Sequence, residues 1–344
     1  MPQSQRIKWI DVLRCFGIYL IYTAHFANGA GFFYEFAFSH HVPLFFLLSG
    51  CMENFGKNRG IWSTAKKTFQ NILLPWLFYA VLSVLLDAQV YYRTTELIPS
   101  AVSIAKGTIR EQFLIAGSVW FLTAIAAVRI LFSVFKKMKN RWLILLACFG
   151  CFLFAEYGLP YRLMANPMLP YNIDSALYYI VFYGIGYVAF PYLCRILEPA
   201  TTREIVFLRL SGLITGVYTV LLFFGKNLLL YVPLVSGSAE ELLCPMIVTY
   251  FYSIVAKKLE NVKILNLIGQ NTLHLCGNEY IAKTLFMGVL GALGLTPKME
   301  APLNVCIYNA MVLVFAVYLL IPFEKRILHK ITAMVTDPLG RKAV

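Results

Sequence analysis

The first apolar run, WIDVLRCFGIYLIYTAHFANG from Trp9 to Gly29, places Asp11, Arg14 and His25 inside a stretch long enough to enter a membrane. A charged side chain at the centre of a membrane helix costs about 2.5–3.5 kcal/mol on insertion scales, so such groups face a bundle interior or a water-filled cavity. Arg14 and His25 are separated by three helical turns plus roughly 20°, which puts them on one face about 16 Å apart along the axis. Asp11 precedes Arg14 by one turn, on that face and within pairing reach. One stripe of one helix therefore presents an acid, a fixed cation and a titratable imidazole. The stripe reads either as a buried Asp–Arg clasp with a satisfied core histidine or as a reaction centre.

The rest of the chain supports a membrane setting. Of 344 residues, 59% are hydrophobic and 14% charged, and the mean hydropathy is +0.69. These values exclude an ordinary soluble enzyme and predict an all-α polytopic membrane protein. About ten transmembrane helices are expected, at 9–29, 40–56, 71–90, 113–135, 142–158, 174–194, 206–225, 242–256, 272–293 and 303–322. Basic residues gather on alternate loops: Arg6 and Lys8; Lys57, Arg59, Lys66 and Lys67; Lys136, Lys137, Lys139 and Arg141; Arg195, Arg203 and Arg209; Lys257, Lys258 and Lys263; Lys325, Arg326 and Lys330, with scattered examples such as Arg93, Lys106, Arg110, Arg162, Lys226 and Lys298 opposite. By the positive-inside rule both termini are cytoplasmic. The net charge of +13 is then topological and does not signal a nucleic-acid partner. The cysteines mostly lie in apolar runs without metal-site spacing, so no metal centre is expected. Linkers are short, no repeat or soluble appendage stands out, and residues 1–344 read as one integral membrane domain retaining its first helix.

Further groups suit chemistry or packing. His40 and His41 precede Pro43 and are expected near the outer surface, solvated rather than metal-bound. Ser49 and Gly50 let another helix approach closely, as does the glycine-bearing stretch Phe182–Tyr187. Lys66 and Lys67, ahead of the third span, serve as a topology anchor or as a phosphate clamp for an anionic donor. Trp120 and Phe121 suit a core, and Arg129 suits snorkelling. Glu279 lies well inside an apolar stretch, so it is neutralised or finds a cation or imidazole, with Lys283 one turn later an available partner.

Several of these stretches together resemble acyltransferase family 3, membrane-bound enzymes that O-acylate glycans and related acceptors. The resemblance rests on Asp11-Val12-Leu13-Arg14 followed by His25, and on Pro43-Leu44-Phe45-Phe46-Leu47-Leu48-Ser49-Gly50. Trp120-Phe121-Leu122, Phe182–Tyr187 and Gly269–Leu273 follow in similar order. The chain departs from the family in two places. Lys66 and Lys67, with Gln70 and Asn71 after them, stand where the family commonly has an arginine pair, and Glu279 stands where it often has a histidine.

The resemblance implies transfer of an acyl group, commonly acetyl from acetyl-CoA, onto a carbohydrate or glycan hydroxyl. His25 is then expected as general base or transient acyl carrier, with Arg14 and Asp11 completing the catalytic set. Arg14, Lys66 and Lys67 would hold the acyl-CoA, and Ser49, Trp120 and Glu279 would support the site. The expected location is the bacterial cytoplasmic (inner) membrane, among lipid. A secondary transporter or flippase for a sugar or lipid-linked substrate is the alternative, since intramembrane charge and interrupted spans suit it equally.

Overall fold

The first apolar run folds as α1, Lys8–Ala24, and other helices surround it. The protein is described by a computed structural model covering residues 6–55, 60–91, 97–107, 117–159, 169–232 and 237–336. Helix is the one regular structure among them. After α1 come the short α2 (Phe32–Phe38), α3 (His41–Met52), α4 (Ile61–Thr68), α5 (Leu74–Tyr91) and α6 (Leu97–Lys106). The middle of the chain forms α7 (Trp120–Phe135), α8 (Arg141–Leu153), α9 (Ile173–Leu197) and α10 (Thr202–Phe223). Then follow α11 (Ser238–Lys258), α12 (Lys263–Gln270), α13 (Thr272–Ala292), α14 (Pro302–Phe315) and α15 (Ile321–Thr336).

Among the described residues, six helices are long and apolar enough to cross a membrane: Ile61–Val90, Arg141–Gly158, Pro170–Leu197, Thr202–Phe223, Ser238–Lys258 and Pro302–Val335. These match six of the ten expected spans. The other four are shorter or more polar. The first run gives 17 residues of helix, and the second only 12. An apolar helix of the latter length is a buried core element, and α3 is buried from His41 through Leu48. The described part of the fourth run is the 3₁₀ turn Gly117–Val119 and the 16-residue α7, with 113–116 outside the described residues. The ninth is α13, whose 21 residues include Glu279 and Lys283.

Besides the wider π turn Phe154–Gly158 that ends the α8 helix, two long helices contain one within their length, Phe69–Leu73 and Ala316–Leu320. Each of these two lies just ahead of a proline, Pro75 or Pro322. Proline has no N–H to donate and its ring crowds the carbonyl four residues back, and a wider turn relieves both. Elsewhere the interhelical distances are set by glycine. A Cβ on Gly50 would overlap the Tyr183 carbonyl, and one on Gly186 would overlap that of Leu47, so α3 and α9 meet backbone to backbone. In the same way Gly269 admits the Asp11 carbonyl and brings α12 onto α1.

The lipid-facing side is also defined. Of the six long apolar helices α10 is the least buried, leaving Leu210, Leu213, Ile214 and Val217 outward. By contrast α1 packs against α3, α11, α12, α13 and α14, with Trp9 through Leu13 and Leu20 through Ala24 buried. This is why α1 tolerates charge: its polar stripe faces protein, not lipid.

Candidate active site

Near the start of α1 the expected Asp11–Arg14 clasp is present and gains a third member. Asp11 is 2% exposed, and its Oδ2 accepts from Arg6 Nε at 2.7 Å while Oδ1 accepts from Arg14 Nη1 at 3.4 Å. With its carboxylate held by Arg6, Asp11 fixes the rotamer of Arg14, whose guanidinium borders a cavity of about 730 Å³. That volume lies in the range of small-molecule and cofactor sites.

Three helical stripes build the cavity wall. Arg14, Ile18 and Ile21 come from α1, at the i, i+4, i+7 spacing of one face. Leu122, Ile125, Arg129 and Ser133 come from α7, and Lys136 continues that stripe just past its end. Thr272, Leu273 and Cys276 come from the start of α13, next to Gln270. Lys67, Asn71 and Ile72 close one side, the latter two from the π turn, and Ser49 and Glu53 another. Four cations, Arg14, Lys67, Arg129 and Lys136, thus face one acid, Glu53. Glu53 is itself engaged, accepting from Lys136 Nζ at 3.1 Å and from the Tyr183 hydroxyl at 2.8 Å. The surplus is positive, with apolar walls deeper in.

Continued beyond the cavity floor, the α1 and α13 stripes arrive at His25 and Glu279. His25 lies one turn past Ile21, and Glu279 one turn past Cys276. The two side chains meet there: His25 Nδ1 is 2.8 Å from Glu279 Oε1 and 2.9 Å from Oε2. Lys283 Nζ reaches Oε1 at 2.6 Å and the Tyr22 carbonyl at 2.8 Å, and lies over the rings of Tyr22 and Phe26. Glu279 therefore has both an imidazole and a cation as partners. Beside an ammonium the carboxylate acts as acceptor. The His25 Nδ1 proton then points to Glu279, and Nε2 is the nitrogen left for chemistry. Tyr22 fixes the spacing of the two helices, its hydroxyl donating to the Leu275 carbonyl at 2.8 Å.

The expected site residues separate accordingly. Asp11, Arg14, Lys67 and Ser49 gather around the cavity, and His25 with Glu279 forms the centre beyond it. Lys66 is exposed and absent from the cavity wall, because adjacent helical residues diverge by about 100° and only Lys67 can turn inward. Trp120 also stands off the wall. It packs beside Tyr179 at 6.1 Å, while its neighbours Phe121 and Leu122 line the cavity. The two histidines expected at a solvated surface are buried instead, at 0% for His40 and 4% for His41, since α2 folds back over them. Arg129 does not snorkel toward lipid but turns into the cavity. It, Lys136 and Glu53 are the site residues that sequence reasoning missed, although the seven-residue spacing of Arg129 and Lys136 marks a shared face.

Comparison with known proteins identifies the family. The model of the acyltransferase domain of acyltransferase family 3 matches residues 7–321, which include the cavity and the His25–Glu279 centre. The chain belongs to that family: it is an integral membrane enzyme that transfers acyl groups. No curated protein and no solved structure matches it.

Proposed function

We propose that this enzyme takes an acyl group, acetyl first among candidates, from acyl-CoA and transfers it to a hydroxyl of a carbohydrate or glycan acceptor. One observation carries the reading. A cavity with four cations runs along the face of α1 that ends, one turn later, in a histidine oriented by a carboxylate. The cations suit the phosphates of CoA, the apolar walls its pantetheine arm, and the far end its thioester.

An unactivated hydroxyl is a poor nucleophile at neutral pH, and a positioned base contributes typically 10²–10⁴-fold. His25 Nε2 would take the hydroxyl proton as the oxygen attacks the thioester carbonyl. The carbon–sulfur bond breaks and the proton passes from Nε2 to the departing CoA thiolate. If Nε2 attacks the thioester first, its carbon–sulfur bond breaks and CoA leaves as thiolate. The acceptor oxygen then displaces the acyl group from Nε2, and the hydroxyl proton passes through the freed Nε2 to the thiolate. In both routes Glu279 holds the ring, and Lys283 balances the carboxylate. The positively charged end of the bundle is assigned to the cytoplasm and the membrane to the bacterial inner membrane, so the donor enters from inside and the acceptor meets His25 from the outer side.

The test is to incubate the protein in lipid nanodiscs with radiolabelled acetyl-CoA. Slow CoA release by the wild type, with a raised donor Kd in Arg14→Ala, is the expected result. No binding or turnover of any acyl-CoA, together with sugar or lipid passage across proteoliposomes, would overturn the reading in favour of transport.

A further inference from the structure

Helix α2 presents two aromatic rings next to His25. Tyr34 and Phe38, at i and i+4, remain 41% and 37% exposed, while Phe36 on the opposite face and Ala37 on the flank are buried. The two rings are 4.8 Å apart, and Phe38 continues to His25 at 6.4 Å between ring centres. Glu35, exposed beside Tyr34, has no side-chain hydrogen bond or ion pair among the described residues.

The surface is held rigid from below. His41 is 4% exposed, its Nδ1 donates to the Ala37 carbonyl at 2.6 Å, and its ring meets that of Phe38 edge-on at 5.0 Å. Phe36 anchors the other face against Phe223 at 5.3 Å. A pair of aromatics positioned by a buried histidine loses little freedom on binding a ligand. Its chemistry fits a sugar. The C–H face of a pyranose is apolar and electropositive and stacks on an aromatic face, while its ring hydroxyls need an acceptor such as a carboxylate.

We propose that Tyr34, Glu35 and Phe38 form the acceptor subsite for a pyranose ring, which lies on the aromatic pair with a hydroxyl directed toward His25. This assignment rests on the acyl-transfer reading above and adds what the acceptor touches. It also separates these rings from aromatics that only anchor a helix at the lipid interface, which would be indifferent to sugar.

Saturation-transfer NMR on the protein in nanodiscs, without donor, tests this with a panel of methyl pyranosides as probes. Saturation of the ring C–H protons of at least one glycoside is expected. It should be lost in the double variant Tyr34→Ala with Phe38→Ala and retained in Phe38→Trp. Glu35→Gln should raise the glycoside Kd on the order of threefold to tenfold. Acetyl-CoA binding by each variant serves as the control for folding. Should the double variant also lose donor binding, Glu35→Gln decides, and an unchanged glycoside Kd there overturns the subsite. So does a wild type whose glycoside signals do not exceed those of empty nanodiscs, or a folded double variant with wild-type signals. Failure of this subsite alongside intact CoA release by the wild type leaves the acyl-transfer reading standing, whereas absent CoA release with sugar bound would do the reverse.

Discussion

In the proposed reaction, the role of His25 turns on which ring nitrogen carries the proton. Glu279 sets this by accepting from Nδ1, and a glutamine there would do the opposite, since its amide can donate to Nδ1 and leave the proton on Nε2. Glu279→Gln should therefore lower turnover roughly 10²–10⁴-fold with little change in donor Kd, as read by CoA release and binding in one preparation. The cavity cations make a second prediction. A hydrogen bond to a charged group contributes about 1.5–3 kcal/mol, so Arg129→Ala or Lys136→Ala should raise the acetyl-CoA Kd by roughly tenfold to a hundredfold. Lys66→Ala, outside the wall, should leave it nearly unchanged. Isothermal titration distinguishes the three variants. These residues also show what a sequence reveals at this scale. Lys283 is legible as a partner of Glu279 because four residues on a helix bring side chains together. The His25 contact joins residues 254 apart in the chain, and no local rule reports it.

Helices and their contacts were partly legible. The apolar runs locate them, but α1 and α3 span 17 and 12 residues because they are enclosed by other helices and need not match a bilayer thickness. Small residues announced close packing at Gly50 and in the stretch around Gly186 without naming their partners, and the two prove to face each other. Gly269 has the largest functional consequence. Its missing Cβ lets α12 rest on the Asp11 backbone, the residue that positions Arg14. Gly269→Ala should separate the two helices at a cost of about 1–3 kcal/mol, typical of overpacking. A lower melting temperature in detergent, together with weaker acetyl-CoA binding, is the expected outcome. Unchanged melting and binding would show that the two helices have room to spare.

Across the whole molecule, the cavity follows α1 from Arg14 to Ile21, and His25 with the α2 aromatics lies past the C-terminal end of that helix. On the proposed reading, the division makes one a donor end and the other an acceptor end along a single helix. A fluorescent-protein fusion at the C-terminus should fluoresce in bacterial cells, and an alkaline phosphatase fusion there should be inactive. Reversed activities would place the donor cavity on the outer side, where CoA is not supplied. Composition and charge made the membrane setting legible, but the cavity was not, because Arg129 and Lys136 meet Arg14 and Lys67 only after α1, α4 and α7 assemble.

The central claim is that donor binding and chemistry occupy separate stations on α1. Acetyl-CoA affinity and CoA release measured together for His25→Ala test it most directly. The account predicts a donor Kd close to that of the wild type and a release rate reduced by about 10²-fold or more. Wild-type release from His25→Ala would contradict it.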